Sequence, residues 1–357
     1  MTIVDVRCHH LTTALHSPFV TALRRTTDLE TTVVEIIDDT GERGFGEAPQ
    51  VWRVTGESLE GSRACLEGPL ADVVRGRSSD DLVDLTRAVA EAVVGNFGAK
   101  AAMDVALHDL AARRTGLSLP RFLGTARHQV ETDVTVSVGE LSQLSTDALR
   151  RVEDGFTVLK LKVGTDARTD TERIVAVREA VGDRARIRVD ANQGWTAREA
   201  ITTICAIEDA GGGLEFVEQP VPAADLAALG RVTAAVDTPI MADETVFGLR
   251  DLVEVVRRNA ADLVNVKLAK CGGLSTARTL LEFSRTHGVG TIVGSMMEGP
   301  IGVGAAASLV AALGTTYTSD LDAAWWAAVS PVEGGIEYHG GTIVLPDLPG
   351  LGIGSVK

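Results

Sequence analysis

The sequence predicts an α/β protein, a parallel barrel of strand-plus-helix units preceded by a smaller α+β domain. Three observations predict it. From Glu131 onward, short apolar runs alternate with helical patterns, as parallel strands joined by helical crossovers require. Charged residues stand at the carboxyl ends of these runs about every 25 to 30 residues, the length of one such unit in a barrel. Before Glu131 the chain reads as strands and then helices, the segregation of an α+β domain.

Size and composition fit that reading. At 357 residues and 45% hydrophobic content the chain can bury a large core. With 34 basic and 49 acidic residues and a net charge of −15, it offers no basic stripe for a nucleic acid. Cys8, Cys65, Cys205 and Cys271 stand far apart without zinc-like spacing, as reduced, mostly buried thiols of a cytoplasmic protein would. The start, Met1 to Arg7, lacks the pattern of a signal peptide. The most apolar window, Ile301 to Leu313, is too short for a bilayer, so no membrane segment is expected.

In chain order, Thr2 to Val6, Thr31 to Ile37 and Gly44 to Glu47 alternate as strands, with a turn at Asp38-Asp39-Thr40-Gly41. A polar loop is expected between the first two, from His16 to Asp28, carrying Arg24 and Arg25. Helices follow from Glu57 to Gly116. The barrel series then begins with a strand at Thr132 to Val138, a helix at Gln143 to Val152, a strand at Thr157 to Val163 and a helix at Thr169 to Val181. It continues to Thr291-Ile292-Val293 and Thr316-Tyr317-Thr318, giving about eight strands, or seven and a half if the first belongs to the junction. The expected division is 1–125, 126–323, and a segment 324–357 that folds back onto the first domain. Trp325 and Trp326 should pack between barrel and cap, and His108 should be a satisfied core residue.

The strand ends carry the chemistry. Asp190, Glu218 and Asp243 end consecutive strands, and three oxygen donors so placed suit a hard divalent ion such as Mg²⁺. A single acid there is commonly a helix cap; three in register point to a metal. Lys160 and Lys162 lie two apart on a strand, so both face one side, here the barrel interior. Side by side and partly desolvated, they should depress one another's pKa and leave one amine able to accept a proton near pH 7. Lys267 ends a strand roughly across the barrel. Lys270 is expected at the surface or a helix start.

Lys160-x-Lys162, Asp190-x-Asn192, Glu218-Gln219-Pro220, Ala242-Asp243-Glu244 and Asn265-Val266-Lys267 resemble the signature of the enolase superfamily, muconate lactonizing enzyme subgroup. Gly46-Glu47-Ala48-Pro49 and Pro349-Gly350-Leu351-Gly352 also match. The resemblance implies an enolase-like fold, a capping α+β domain over a modified (β/α)7β barrel. It further implies one Mg²⁺ per subunit held by Asp190, Glu218 and Asp243, an enediolate route to α-proton removal, and often a homo-oligomer.

Asp320-Leu321-Asp322 resembles the Asp-x-Asp with which dipeptide epimerases of this subgroup hold an α-ammonium. Thr21 to Arg25 resembles the lid of its Ala-Glu epimerases, in which an arginine matching Arg24 meets a side-chain carboxylate, with Arg25 as the competing donor. Thr135, Asn192 and Glu298 join them as candidate substrate contacts, Glu298 alternatively orienting a lysine. Lys162 and Lys267 are then the opposed acid/base pair, with Lys160 tuning Lys162. The expected activity is Mg²⁺-dependent epimerisation of a dipeptide, L-Ala-D/L-Glu. The rivals are muconate cycloisomerase, o-succinylbenzoate synthase and N-acylamino acid racemase on the same scaffold.

Overall fold

A computed structural model describes residues 1–20, 25–137, 139–164 and 166–357, without the side chains of Ser142 and Ala167. Three strands, β1 (Ile3–Val20), β2 (Arg25–Asp38) and β3 (Arg43–Pro49), make one antiparallel sheet in chain order. The loop expected from His16 to Asp28 is mostly strand. After a register shift beyond Ala14, Phe19 still pairs with Thr26 and Val20 with Arg25. Leu15 and Phe19 explain the difference, because they extend the buried row that Leu11 begins, and burying them keeps the chain extended.

The helix Phe97–Arg114 lies directly on β3. A Cβ on Gly44 or Gly46 would stand 2.2 or 1.8 Å from the carbonyl oxygens of Ala106 and Ala102, so only glycine admits the contact.

After the short β4 (Gln129–Glu131), seven strands form one parallel sheet in chain order. They are β5 (Val134–Val136), β6 (Val158–Lys162), β7 (Arg186–Asp190), β8 (Leu214–Glu218), β9 (Ile240–Ala242), β10 (Leu263–Lys267) and β11 (Gly290–Gly294). Helices between them have local start signals. Asp166 caps Ala167–Val181, and Thr196 with Glu199 forms a capping box on Ala197–Asp209.

The barrel is closed by Ser319 and Asp320, which bridge in parallel to Thr132 and Gly294. Closure therefore falls just after the expected strand at Thr316 to Thr318. Tyr317 instead packs against Phe216, Met241, Leu263 and Ile292, an apolar plug inside the barrel. The opposite faces of the strands, among them Leu159, Leu161, Ile187, Val189, Val264 and Val266, join the core shared with the surrounding helices. A plugged interior leaves the carboxyl-end mouth for function.

The C-terminal segment touches both parts. It contains β12 (Val332–Gly334), β13 (Glu337–His339), β14 (Thr342–Val344) and β15 (Ile353–Val356), and β14 pairs with β4. Ala328 N donates to Ala14 O at 2.8 Å, and Leu351 N to Asp109 Oδ1 at 2.6 Å. Trp326 stacks on His16 and meets Phe19 edge-on, so it does pack between barrel and cap. Cys65 and Cys271 are buried, Cys8 and Cys205 half-buried, and all four are free. No helix among the described residues is long and apolar enough to cross a membrane.

Two cap acids fasten the cap by capping barrel helices from outside. Glu47 accepts from Gly299 N at 2.7 Å and Gly302 N at 2.9 Å, at the start of the helix Pro300–Leu313. Asp104 accepts from Leu274 N at 2.7 Å and Ser275 Oγ at 2.6 Å, at the start of Leu274–Thr286. Each satisfies amides that a helix leaves unpaired and places negative charge at the positive end of its dipole.

His108 is a satisfied core residue, with Nδ1 2.8 Å from Asp104 O. Burial alone would lower its pKa, but the Asp104 carboxylate 3.4 Å away outweighs this and raises it. The stabilisation is then fully present below the unfolded value of about 6.5 and is lost as pH rises through the folded pKa. His108→Gln should therefore cost more stability at about pH 6 than at about pH 9 in urea unfolding, whereas an equal loss at both would sink this account.

Candidate active site

Strand alternation turns Lys160, Lys162 and Asp190 inward, and the ends of β6 to β10 deliver the expected groups to one mouth. A cavity of about 90 Å³ opens there. Its floor and walls include Thr135, Lys162, Asn192, Asp243, Glu244, Lys267, Asp320 and Asp322, with Met296 and Met297 beside them. Lys162 and Lys267 are on strands separated by β7, β8 and β9, so they face the cavity from opposite walls.

The charges are interlocked. Lys160 Nζ lies 3.1 Å from Asp190, 2.7 Å from Glu218 and 2.8 Å from Asp320. Lys162 Nζ is 2.6 Å from Asp190 Oδ2, and Lys267 Nζ is 2.9 Å from Asp243 Oδ2. The expectation that the lysine pair depresses itself fails at Lys160. Burial alone would lower this ammonium, but Asp320, Glu218, Asp190 and Asp133 together raise it well above the ordinary lysine value. Lys267 is also raised against burial, chiefly by Asp243.

The acids divide. Burial would raise Asp190 and Asp243, but the neighbouring lysines hold both below the usual carboxylate range. Glu218 goes the other way, pushed up to about 7 by burial and by Asp190 and Asp243 against the pull of Lys160. Burial, Asp243 and Asp190 push Glu244 up to about 7 as well. Carboxylates that raise one another's pKa mark a place where cationic charge is wanted.

Among the described residues no three His, Cys, Asp or Glu side chains stand as a ready metal cage. The donor set nevertheless fits Mg²⁺, since it is all oxygen and comes from adjacent strand ends. Buried oxygens also lack hydrogen-bond donors, namely Glu218 Oε2, Asp243 Oδ1, Glu244 Oε2 and Asn192 Oδ1. Two of them lie near ammonium groups, Glu218 Oε2 by Lys160 at 2.7 Å and Asp243 Oδ1 by Lys270 at 2.6 Å, but without hydrogen-bond alignment.

Several residues differ from expectation or were missed. Lys270 is not at the surface: it is fully buried, and its Nζ donates to the carbonyl oxygens of Asp243 and of Asn265. Its spacing three after Lys267, in a helix start, was the signal available. Glu298 does not line the cavity; it turns back, and Oε1 accepts from Met296 N at 2.8 Å. Burial pushes it up to about 7. Asn192 lines the cavity and donates from N to Asp190 Oδ1 at 2.8 Å. Thr135 N donates to Asp322 Oδ2 at 2.7 Å.

Gln219, quoted only as part of a motif, orders the turn at Asp243 by accepting from Asp243 N and Thr245 N. Asn265 Nδ2 likewise donates to Glu218 Oε1 at 2.9 Å. Gly294 makes room for Lys267, because a Cβ there would lie 2.9 Å from Lys267 Cε. Arg24 lies outside the described residues. Arg25 is exposed in a vestibule shared with Gln50, Trp52 and Met297.

Comparison with known proteins covers nearly the whole chain. Residues 3–124 match the mandelate racemase/muconate lactonizing enzyme N-terminal domain, and residues 143–355 match the enolase C-terminal domain-like family. The chain is 41% identical over 354 residues to the L-Ala-D/L-Glu epimerase of Bacillus subtilis, covering 99% of this chain and 97% of that one. A substrate-liganded structure of that Bacillus subtilis epimerase superposes with a TM-score of 0.97 at 41% identity, over 100% of both chains. The Enterococcus faecalis dipeptide epimerase complexed with Mg and L-Leu-L-Tyr gives 0.95 at 35% identity, over 99% of this chain and 100% of that one.

Lys160 is the common partner of three buried acids, and removing it leaves Asp190 with Lys162, Glu218 with Asn265, and Asp320 with no ion-pair partner among the described residues. Lys160→Met should destabilise the protein by about 3–5 kcal/mol in denaturant unfolding near neutral pH. An unchanged midpoint would show that the acids do not depend on it.

Proposed function

The chain belongs to the mandelate racemase/muconate lactonizing enzyme family of the enolase superfamily, and from that premise we propose that it is a Mg²⁺-dependent dipeptide epimerase acting on L-Ala-D/L-Glu. The observation that carries this reading is the placement of Lys162 and Lys267 on opposite walls of one cavity, with Asp320 and Asp322 on the same lining.

Asp190, Glu218 and Asp243 would hold the Mg²⁺, which when bound supplies positive charge against the substrate's carboxylate and lowers the cost of removing the adjacent proton. In one direction Lys162 Nζ accepts the α-proton and Lys267 Nζ donates one to the other face; in the reverse direction the roles exchange. Lys160 does not exchange protons. Held by three carboxylates, it stays an ammonium and contributes fixed charge.

Asp320 and Asp322 would receive the substrate's ammonium. Both are engaged through Oδ2, Asp320 by Lys160 and Asp322 by Thr135 N and Trp326 Nε1, so among the described residues Oδ1 of each is uncommitted. Despite burial, Lys160, Lys267 and Lys162 hold Asp320 down to about 2. An acid ionised at neutral pH in that position favours an ammonium and repels the second carboxylate of the cycloisomerase and synthase substrates.

The direct test is L-Ala-L-Glu in D2O with Mg²⁺. Deuterium should enter the α-position with inversion and stop on chelation, and no exchange with any dipeptide would overturn the reading. Lys267→Ala should reduce epimerisation roughly 10²- to 10⁴-fold; inversion surviving from both stereoisomers would rule out two opposed bases. Asp320→Asn combined with Asp322→Asn should reduce dipeptide kcat/KM by a similar factor, roughly 10²- to 10⁴-fold, and retained turnover would remove the ammonium site from these two residues.

A further inference from the structure

The barrel closes through a short, irregular segment that carries two of the cavity's acids. β6 and β7 pair along their whole length, whereas Ser319 meets Thr132 and Asp320 meets Gly294 through single bridges. Asp320 and Asp322 line the cavity from this segment. With so little strand pairing, the position of the two carboxylates depends on what else holds the seam.

Arg188 holds it from inside the barrel. On β7 it stands two residues before Asp190, on the same inward face but one layer deeper, fully buried and off the cavity lining. Its Nη1 donates to Thr318 O at 2.7 Å and to Asp133 Oδ2 at 3.2 Å, one on each flank of the seam. Nε and Nη2 donate to Glu215 Oε2 at 3.2 and 2.8 Å, and the guanidinium lies 4.6 Å from the centre of the Phe216 ring. Arg186 donates from Nη1 to Glu215 Oε1 at 2.7 Å and from Nη2 to Thr318 Oγ1 at 3.1 Å, so two arginines of one strand grip the same threonine.

Packing alone does not call for a cation here. The neighbouring interior is filled by Phe216, Met241, Leu263, Ile292 and Tyr317, and replacing a buried ion pair by apolar side chains of similar volume often costs no stability. What a guanidinium adds is direction: its donors lie in one rigid plane, so acceptors on two segments are held at one spacing. Backbone bonds carry that hold toward the mouth, with Asp133 N donating to Ser319 O at 3.0 Å, Asp320 N to Val293 O at 3.0 Å and Leu321 N to Thr132 Oγ1 at 2.9 Å.

Resting on the epimerase reading above, we infer that Arg188 is a positioning residue for the proposed ammonium site: without touching substrate, it clasps both flanks of the seam and so sets where Asp320 and Asp322 present their carboxylates. A lysine in its place keeps the charge but not the fork that reaches Glu215 on one side and the seam on the other.

The test uses Arg188→Lys, Arg188→Met, and Arg188→Met combined with Asp133→Asn, which neutralises the acid that the single change strands. The readouts are KM and kcat for L-Ala-L-Glu, the Kd of Mg²⁺ by calorimetry, and amide hydrogen exchange at residues 316–323 against that of β6 and β10. The combined variant should raise KM roughly 10- to 100-fold while kcat and the Mg²⁺ Kd stay within about 3-fold, with protection lost at 316–323 alone, and Arg188→Lys should fall between it and the wild type. Unchanged KM and protection would overturn the inference. So would a fall in kcat and in Mg²⁺ affinity with protection lost throughout the barrel, which marks a general structural role. A wild type that exchanges no dipeptide rejects the epimerase reading instead; hydrogen exchange at 316–323 then decides the clasp by itself, a confined loss supporting it and unchanged protection overturning it.

Discussion

Asp190, Glu218, Asp243 and Asp320 are buried within reach of one another's charge, and much of the mouth is arranged to keep them so. Left alone, acids so crowded would take up protons or push the strand ends apart. Lys160 meets three of them, Lys267 and Lys270 meet Asp243, and Lys162 meets Asp190. The compensation is uneven. Glu218 and Glu244 remain pushed up to about 7, so positive charge added beside them finds acids ready to ionise. The proposed cation site and the proposed bases are therefore one electrostatic unit, in which Lys160 acts on Asp190, Glu218, Asp243 and Asp320 alike.

Such a mouth functions only if the cap sits over it reproducibly. Glu47 and Asp104 do this with backbone amides, each capping a barrel helix. Amide partners have fixed directions, so these contacts set the cap's orientation as well as its attachment. Phe19 and the Val51–Val54 turn reach the cavity from a cap registered in this way.

The barrel and its strand-end residues were legible because they obey local rules. A strand of period two must send Lys160 and Lys162 inward together, and an apolar run before each acid marks a strand end. The cap hairpin was less legible, since His16 to Asp28 is polar enough to read as loop, and only the pairing of Phe19 with Thr26 and of Val20 with Arg25 shows a strand. Lys270 does stand at a helix start, as expected, but its burial was hidden for a related reason: its partners are the carbonyl oxygens of Asp243 and Asn265, and backbone acceptors leave no mark in a sequence.

The charge state of Lys160 follows from position rather than from proximity. Two ammonium groups two residues apart on a strand do repel, but at this mouth the acids around Lys160 outweigh its twin's charge. Lys160, with the most acids around it, is driven toward the ammonium form. Lys162 has one acid at contact distance and lines the cavity, which Lys160 does not. A proton acceptor needs access to the substrate. Access to the cavity is what Lys162 has and Lys160 lacks, and the group behind it is suited to hold charge still.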